Sequence, residues 1–206
     1  MTAFIARPVA LAGLLVILSA ASAFAHHPMG GEVPRTFVQG LLSGLGHPVI
    51  GLDHFAGIVG VGLLAGIARR GVLPVIAFSA AVIAGVVVHV GGVGLPAGEF
   101  MVGLTTVVIG ALVIVRQHIS PAVATALFAA AGFVHGHALG EAVVGAEQTP
   151  IAAYLLGLFV VQTAIGLAAQ AAALRFAERA KAGLAIAGAV VVLIGGVAAA
   201  SAGLSA

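Results

Sequence analysis

From residue 37 onward, polar residues are rare and widely spaced. Six apolar stretches fall near 37–68, 72–94, 99–116, 121–143, 150–175 and 182–204, separated by short loops. Each is close to or beyond the roughly 20 apolar residues that a helix needs to cross a bilayer. Their Ala, Gly, Val and Leu residues show little strand-like alternation, so helices fit better than barrel strands. The expected fold is an all-α membrane protein, a compact bundle of about six transmembrane helices forming a single domain over 37–206.

The first 25 residues follow a different pattern. Arg7 precedes an apolar run from Val9 to Leu18, and small residues then end in Ala23-Phe24-Ala25. A charged start, an apolar middle and an A-x-A exit predict a secretory signal peptide over 1–25. The competing reading is an uncleaved first span. Cleavage leaves His26 and His27 at the start of a periplasmic segment, 26–36.

Composition agrees with the bilayer. The chain is 62% hydrophobic and 7% charged, against about 25% charged in soluble domains. The few charges are also ordered. Arg69 and Arg70 follow the first stretch, Arg116 the third, and Arg175, Arg179 and Lys181 the fifth, whereas the loops after the second and fourth carry Glu99 and Glu147. This positive-inside bias predicts an inner-membrane protein with both mature ends periplasmic. The basic balance therefore reflects orientation, and no nucleic-acid partner is expected. With no Cys in the chain, thiolate metal sites and Cys nucleophiles are excluded. No G-x-x-x-x-G-K-[ST] sequence occurs, so ATP binding of that kind is excluded too. The pairs Gly40/Gly44, Gly62/Gly66 and Gly136/Gly140 have the spacing that lets helices approach closely.

Against this background Asp53 and Glu141 stand out. A carboxylate in hydrocarbon is costly and usually lines a pathway or has a partner. His47, His54, His89, His135 and His137 also lie within the apolar stretches. Imidazole suits nickel, cobalt and zinc, and a carboxylate can complete such a site. His47 and His54, seven apart, share a face of a continuous helix; so do His137 and Glu141, four apart, while His135 does not share theirs. A straight helix over 36–68 would run to roughly 50 Å, well over the ~30 Å hydrocarbon core. Gly46-His47-Pro48 is the expected place for an interruption, either a broken helix lining a polar cavity or a kink after a surface helix. Counted from the basic ends, Asp53 and His54 lie roughly 21–24 Å up, His89 about 26 Å and His135 about 22 Å. That shared level predicts one site, fed from the periplasmic side.

His47-Pro48-Val49-Ile50-Gly51-Leu52-Asp53-His54 resembles the H-P-x-x-G-x-D-H signature of the HupE/UreJ family. His135-Gly136-His137-Ala138-Leu139-Gly140 is similar to that family's second motif, H-G-x-A-x-G. The resemblance spans essentially the whole mature chain. It implies a nickel or cobalt permease of the kind associated with hydrogenase or urease maturation. Two positions depart from the pattern. Ile58 stands where the family often has Met, so no thioether ligand is implied. The second motif's Glu falls one residue later than Glu141, and Glu147 is the next carboxylate along the chain.

The candidate metal ligands are thus His47, Asp53, His54, His135, His137 and Glu141, then His89, with His26 and His27 as a capture site at the new N-terminus. Each has a plainer alternative: a buried His–Asp pair fixing helix contacts, helix-end hydrogen bonds, or a polar tail. His118 reads as a loop residue, and Tyr154 and Gln162 as packing. The expected function is secondary import of Ni²⁺ or Co²⁺ across the bilayer, with the ion as cargo and no prosthetic group. No substrate site for an enzyme is suggested. Two alternatives remain: an intramembrane haem or redox protein with paired axial histidines, and a non-transporting partner of another membrane complex.

Overall fold

A computed structural model of the chain describes residues 32–69, 71–115, 120–176 and 180–204. The expected signal peptide, His26, His27 and His118 lie outside the described residues. Among those residues every regular element is helical.

Helix α1 (Phe37–Ile50) starts at a capping box, in which Thr36 Oγ1 accepts the Gln39 N–H and Gln39 Oε1 accepts the Thr36 N–H. These two bonds satisfy donors that a helix start leaves orphaned. Helix α2 (Leu52–Ile67) follows after a single residue and is bent from α1 by 78°. The interruption expected near His47-Pro48 falls at Gly51. Pro48 sits inside α1, where its missing N–H removes one hydrogen bond without ending the helix. Gly51, with ψ 101°, turns the chain, its N–H closing on the His47 carbonyl and its carbonyl opening α2 at Phe55 N. A Cβ there would stand 3.0 Å from His54 Cδ2, tighter than side chains normally pack.

The other helices are α3 (Leu73–Val90), α4 (Gly98–Val115), α5 (Pro121–Leu139), α6 (Gln148–Phe176) and α7 (Lys181–Leu204), with a 3₁₀ turn, Gly140–Val143, continuing α5. Ser120 caps α5 by accepting the Val123 N–H. Five of these segments are individually long and apolar enough to cross a membrane, and the bent α1–α2 pair makes a sixth.

Helix α2 is the centre of the bundle. Twelve of its sixteen residues are buried, as expected of a helix apolar all round. It packs against α4, α6 and α7, while α1 lies on α6, α3 on α5 and α4 on α7. The glycine pairs make these approaches close. A Cβ at Gly44 would overlap the Tyr154 carbonyl, one at Gly62 the Gly166 carbonyl, and one at Gly136 the Val82 carbonyl. Large apolar side chains such as Leu42, Val87, Leu156 and Ile186 remain exposed around the outside, a surface suited to lipid rather than water. Arg69, Arg175 and Lys181 follow or begin helices at one end, and Glu99, Glu141 and Glu147 lie toward the other.

Candidate metal centre

The bend at Gly51 ends one helix and begins another inside the bundle. It brings His47, in the last turn of α1, against Asp53 and His54, in the first turn of α2. All three are buried, and the His47 and His54 ring centroids stand 6.3 Å apart. A seven-residue spacing aligns two side chains only on a continuous helix. Here the bend, not the periodicity, makes them neighbours. Asp53 Oδ1 accepts the His54 backbone N–H at 2.9 Å, and its place in the first turn sets a carboxylate in the favourable field of a helix N-terminus.

Helix α5 supplies His135, whose Nδ1 stands 3.1 Å from His54 Nδ1. The His135 ring packs against Phe78 of α3, and its Nε2 faces the hydroxyls of Thr105 and Thr106 on α4 at 3.2 and 3.5 Å. Those hydroxyls determine where the proton sits. Thr105 donates to the carbonyls of Val102 or Met101, and Thr106 to that of Asp53. A hydroxyl has one proton, and Thr105 spends its proton on those nearby carbonyls, so it accepts from His135 Nε2–H, which turns the His135 lone pair at Nδ1 toward His54. Tyr154 on α6 acts similarly on His47: it donates to the Leu139 carbonyl at 2.7 Å and accepts from His47 Nδ1 at 3.0 Å. A neutral His47 held this way carries its lone pair on Nε2. Partners of this kind fix the tautomer and aim of ligating imidazoles.

His137 is two residues beyond His135, so it projects from roughly the opposite side of α5 and meets α3. Its Nε2 lies 3.1 Å from His89 Nδ1 and 2.8 Å from the Val93 carbonyl oxygen. His89 Nε2 in turn stands 2.9 Å from Glu141 Oε2 on the 3₁₀ turn. Two of its members reach the surroundings, the Glu141 side chain at 68% exposed and that of His89 at 18%, while His137 is buried. Glu147 belongs to neither group. With Val33, Pro34, Arg35, Gly145 and Ala146 it lines a surface recess of about 360 Å³.

The seven described candidates therefore fall into two groups that share α5, not into one. His47, Asp53, His54 and His135 make the inner group, and His89, His137 and Glu141 the outer. Among the described residues no three His, Asp or Glu side chains converge closely enough to hold an ion by themselves. Tyr154, Thr105 and Thr106 add contacts that the helical pattern did not reveal. Tyr154 is the chain's single tyrosine and the threonines are adjacent hydroxyls in an apolar helix, but periodicity does not say which helix each faces.

Comparison with known proteins gives one family. The family model described as HupE / UreJ protein matches residues 14–198. A relative named Protein HupE, from Rhizobium leguminosarum bv. viciae, is 31% identical over 160 residues, covering 76% of this chain and 83% of that protein. No solved structure matches the chain.

Proposed function

Because the chain belongs to the HupE/UreJ family, we propose that it is a secondary permease carrying Ni²⁺ or Co²⁺ inward through the His/Asp group at the α1–α2 break. The observation that carries this reading is the placement of Asp53 and His54, buried in the first turn of a helix that starts inside the bundle, with His135 Nδ1 at 3.1 Å from His54 Nδ1. Two imidazoles bonded to one ion at about 2.0–2.1 Å in adjacent positions stand roughly 3 Å apart. The His54–His135 pair has that spacing, and so, at 3.3 Å, do His89 Nδ1 and His137 Nδ1, since His137 Nε2–H is given to the Val93 carbonyl. For both facing nitrogens of the His54–His135 pair to ligate, the hydrogen between the rings moves from His54 Nδ1 to His54 Nε2, so that each ring turns a lone pair to the ion, and Asp53 supplies negative charge. Among the described residues no third side chain converges with the pair, which suits a cargo ion that keeps some water ligands and must leave again.

The basic ends of α2 and α6 face the cytoplasm under the positive-inside rule, which puts the outer group on the periplasmic side. There Glu141 and His89 meet a hydrated ion first. The inner group, reached through the bundle, removes more of its water. Single-domain organisation over 37–206, an inner-membrane location and periplasmic termini belong to the same proposal. His26 and His27 add a capture point at the mature N-terminus.

The haem alternative gains no support from this geometry. Helices α3 and α5, which carry His89 and His137, meet at backbone distance where Gly136 faces the Val82 carbonyl, and the His54 and His135 rings touch edge to face. Tracer uptake of ⁶³Ni²⁺ and ⁵⁷Co²⁺ by cells lacking their own importers tests the permease reading. Cells making the native chain should accumulate one or both, and cells with equal membrane amounts of Asp53→Asn should not. No uptake by the native chain would point to the non-transporting alternative.

A further inference from the structure

Four buried side-chain atoms have no hydrogen-bond partner in the protein: Ser79 Oγ, Gln162 Oε1 and Nε2, and Thr163 Oγ1. Among the described residues no other buried side-chain nitrogen or oxygen is left so. Their position in the bundle follows from the helix contacts. Helices α2 and α6 run in the same direction, Gly62 meeting Gly166 and Gly66 meeting Gln170. One turn back along each puts Gln162 level with Ile58, and Ile58 is one turn past His54. Helix α3 runs opposite to α6: Val75 meets Gly166, and the Gln170 amide donates to the Gly71 carbonyl just before α3. One turn up α3 from Val75 is Ser79, so Ser79 and Gln162 share a level on two packed helices. Beside Ser79, Phe78 rests on the His135 ring.

A primary amide and two hydroxyls thus sit one turn to the basic side of the His54–His135 pair, each 2% exposed or less in the case of Gln162 and Ser79. Buried polar groups are as a rule hydrogen-bonded, to protein or to water. Water, free or bound to an ion, is the partner that suits these atoms. Neutral oxygens are poor direct ligands for a nickel-type ion beside imidazole, but they accept hydrogen bonds from the polarised water bound to such an ion.

We propose that Gln162 and Ser79, flanked by Thr163, form a wet release step, where the divalent cation leaves the His54–His135 pair and regains water on its way to the cytoplasm. The proposal rests on the permease reading. Neutral acceptors hold a hydrated cation more loosely than His and Asp do, so the step drains the inner site rather than trapping its cargo.

The chain has no Cys, so Ser79→Cys places a lone thiol at this step. Inverted membrane vesicles are treated with a small, charged, membrane-impermeant methanethiosulfonate, which reacts with thiolate in water. Ser79→Cys should react at least about tenfold faster than Val82→Cys, since a thiol buried in apolar surroundings stays inert, and Ni²⁺ should slow it. Val82 is the matched control, on the same helix and 1% exposed like Ser79. In parallel, Gln162→Leu should lower tracer uptake while leaving the Co²⁺ absorption spectrum of the purified protein unchanged. Equal labelling at 79 and 82, or native-level uptake by Gln162→Leu, overturns the release step alone. A native chain that takes up no tracer overturns the permease reading and the release step together.

Discussion

The two histidine groups use the same pair of rings at nearly the same nitrogen spacing, yet they are embedded differently. His54 and His135 are 2% and 1% exposed and have a carboxylate, Asp53, buried beside them. His89 and His137 pair with Glu141, whose side chain is largely in the surroundings. A charge pair open to water contributes little, because water competes for both partners. A buried carboxylate is costly unless something compensates it. Under the proposed permease reading, this difference assigns holding and dehydrating the ion to the group with the buried Asp53, and gathering ions to the group that ends in Glu141.

The sharpest break between the groups comes from the ligands themselves. His54→Ala should reduce maximal uptake by more than the roughly 10–100-fold that loss of an outer partner of a metal ligand costs, whereas His89→Ala should raise the half-saturating concentration and spare the maximal rate. Next come the partners that aim the inner rings. Tyr154→Phe leaves His47 Nδ1 and the Leu139 carbonyl without their common partner, and Thr105→Val combined with Thr106→Val removes the acceptors at His135 Nε2. Each should weaken Co²⁺ binding about tenfold, read by titration of the purified protein. Tyr154→Phe should also lower stability by about 1–3 kcal/mol, the cost of orphaning a buried polar group. Glu141→Gln should have a smaller effect, raising the half-saturating concentration a few-fold, most visibly at low salt where exposed charge counts. Smallest should be Gly51→Ala. Its backbone angles are open to alanine, but the new Cβ stands 3.0 Å from His54 Cδ2 and must shift that ring by a few tenths of an ångström. A modest loss of affinity at unchanged protein level is the expected result.

Span positions were legible because bilayer thickness sets the length of an apolar run, and a helix cannot hide its length. The opposite faces of His135 and His137 were legible for the same kind of reason, since 100° per residue fixes them. The relation of His47 to His54 was not. Helical periodicity assumes continuity, and the turn at Gly51 lies between them. Depth along each span placed His89 level with His54 and His135, but depth is one coordinate of three. Position around the bundle, set by α3 packing on α5, gives His89 to His137 instead. Tyr154 and the Thr105–Thr106 pair were hidden for a related reason: the register between helices decides which ring a hydroxyl meets, and that register is set by where glycines allow backbones to touch.

The most direct measurement is the concentration dependence of tracer uptake by the native chain, His54→Ala and His89→Ala, at matched amounts in the membrane. The account predicts that His54→Ala loses the maximal rate, while His89→Ala keeps it and needs more metal to reach it. His54→Ala carrying nickel and cobalt at the native rate would contradict it.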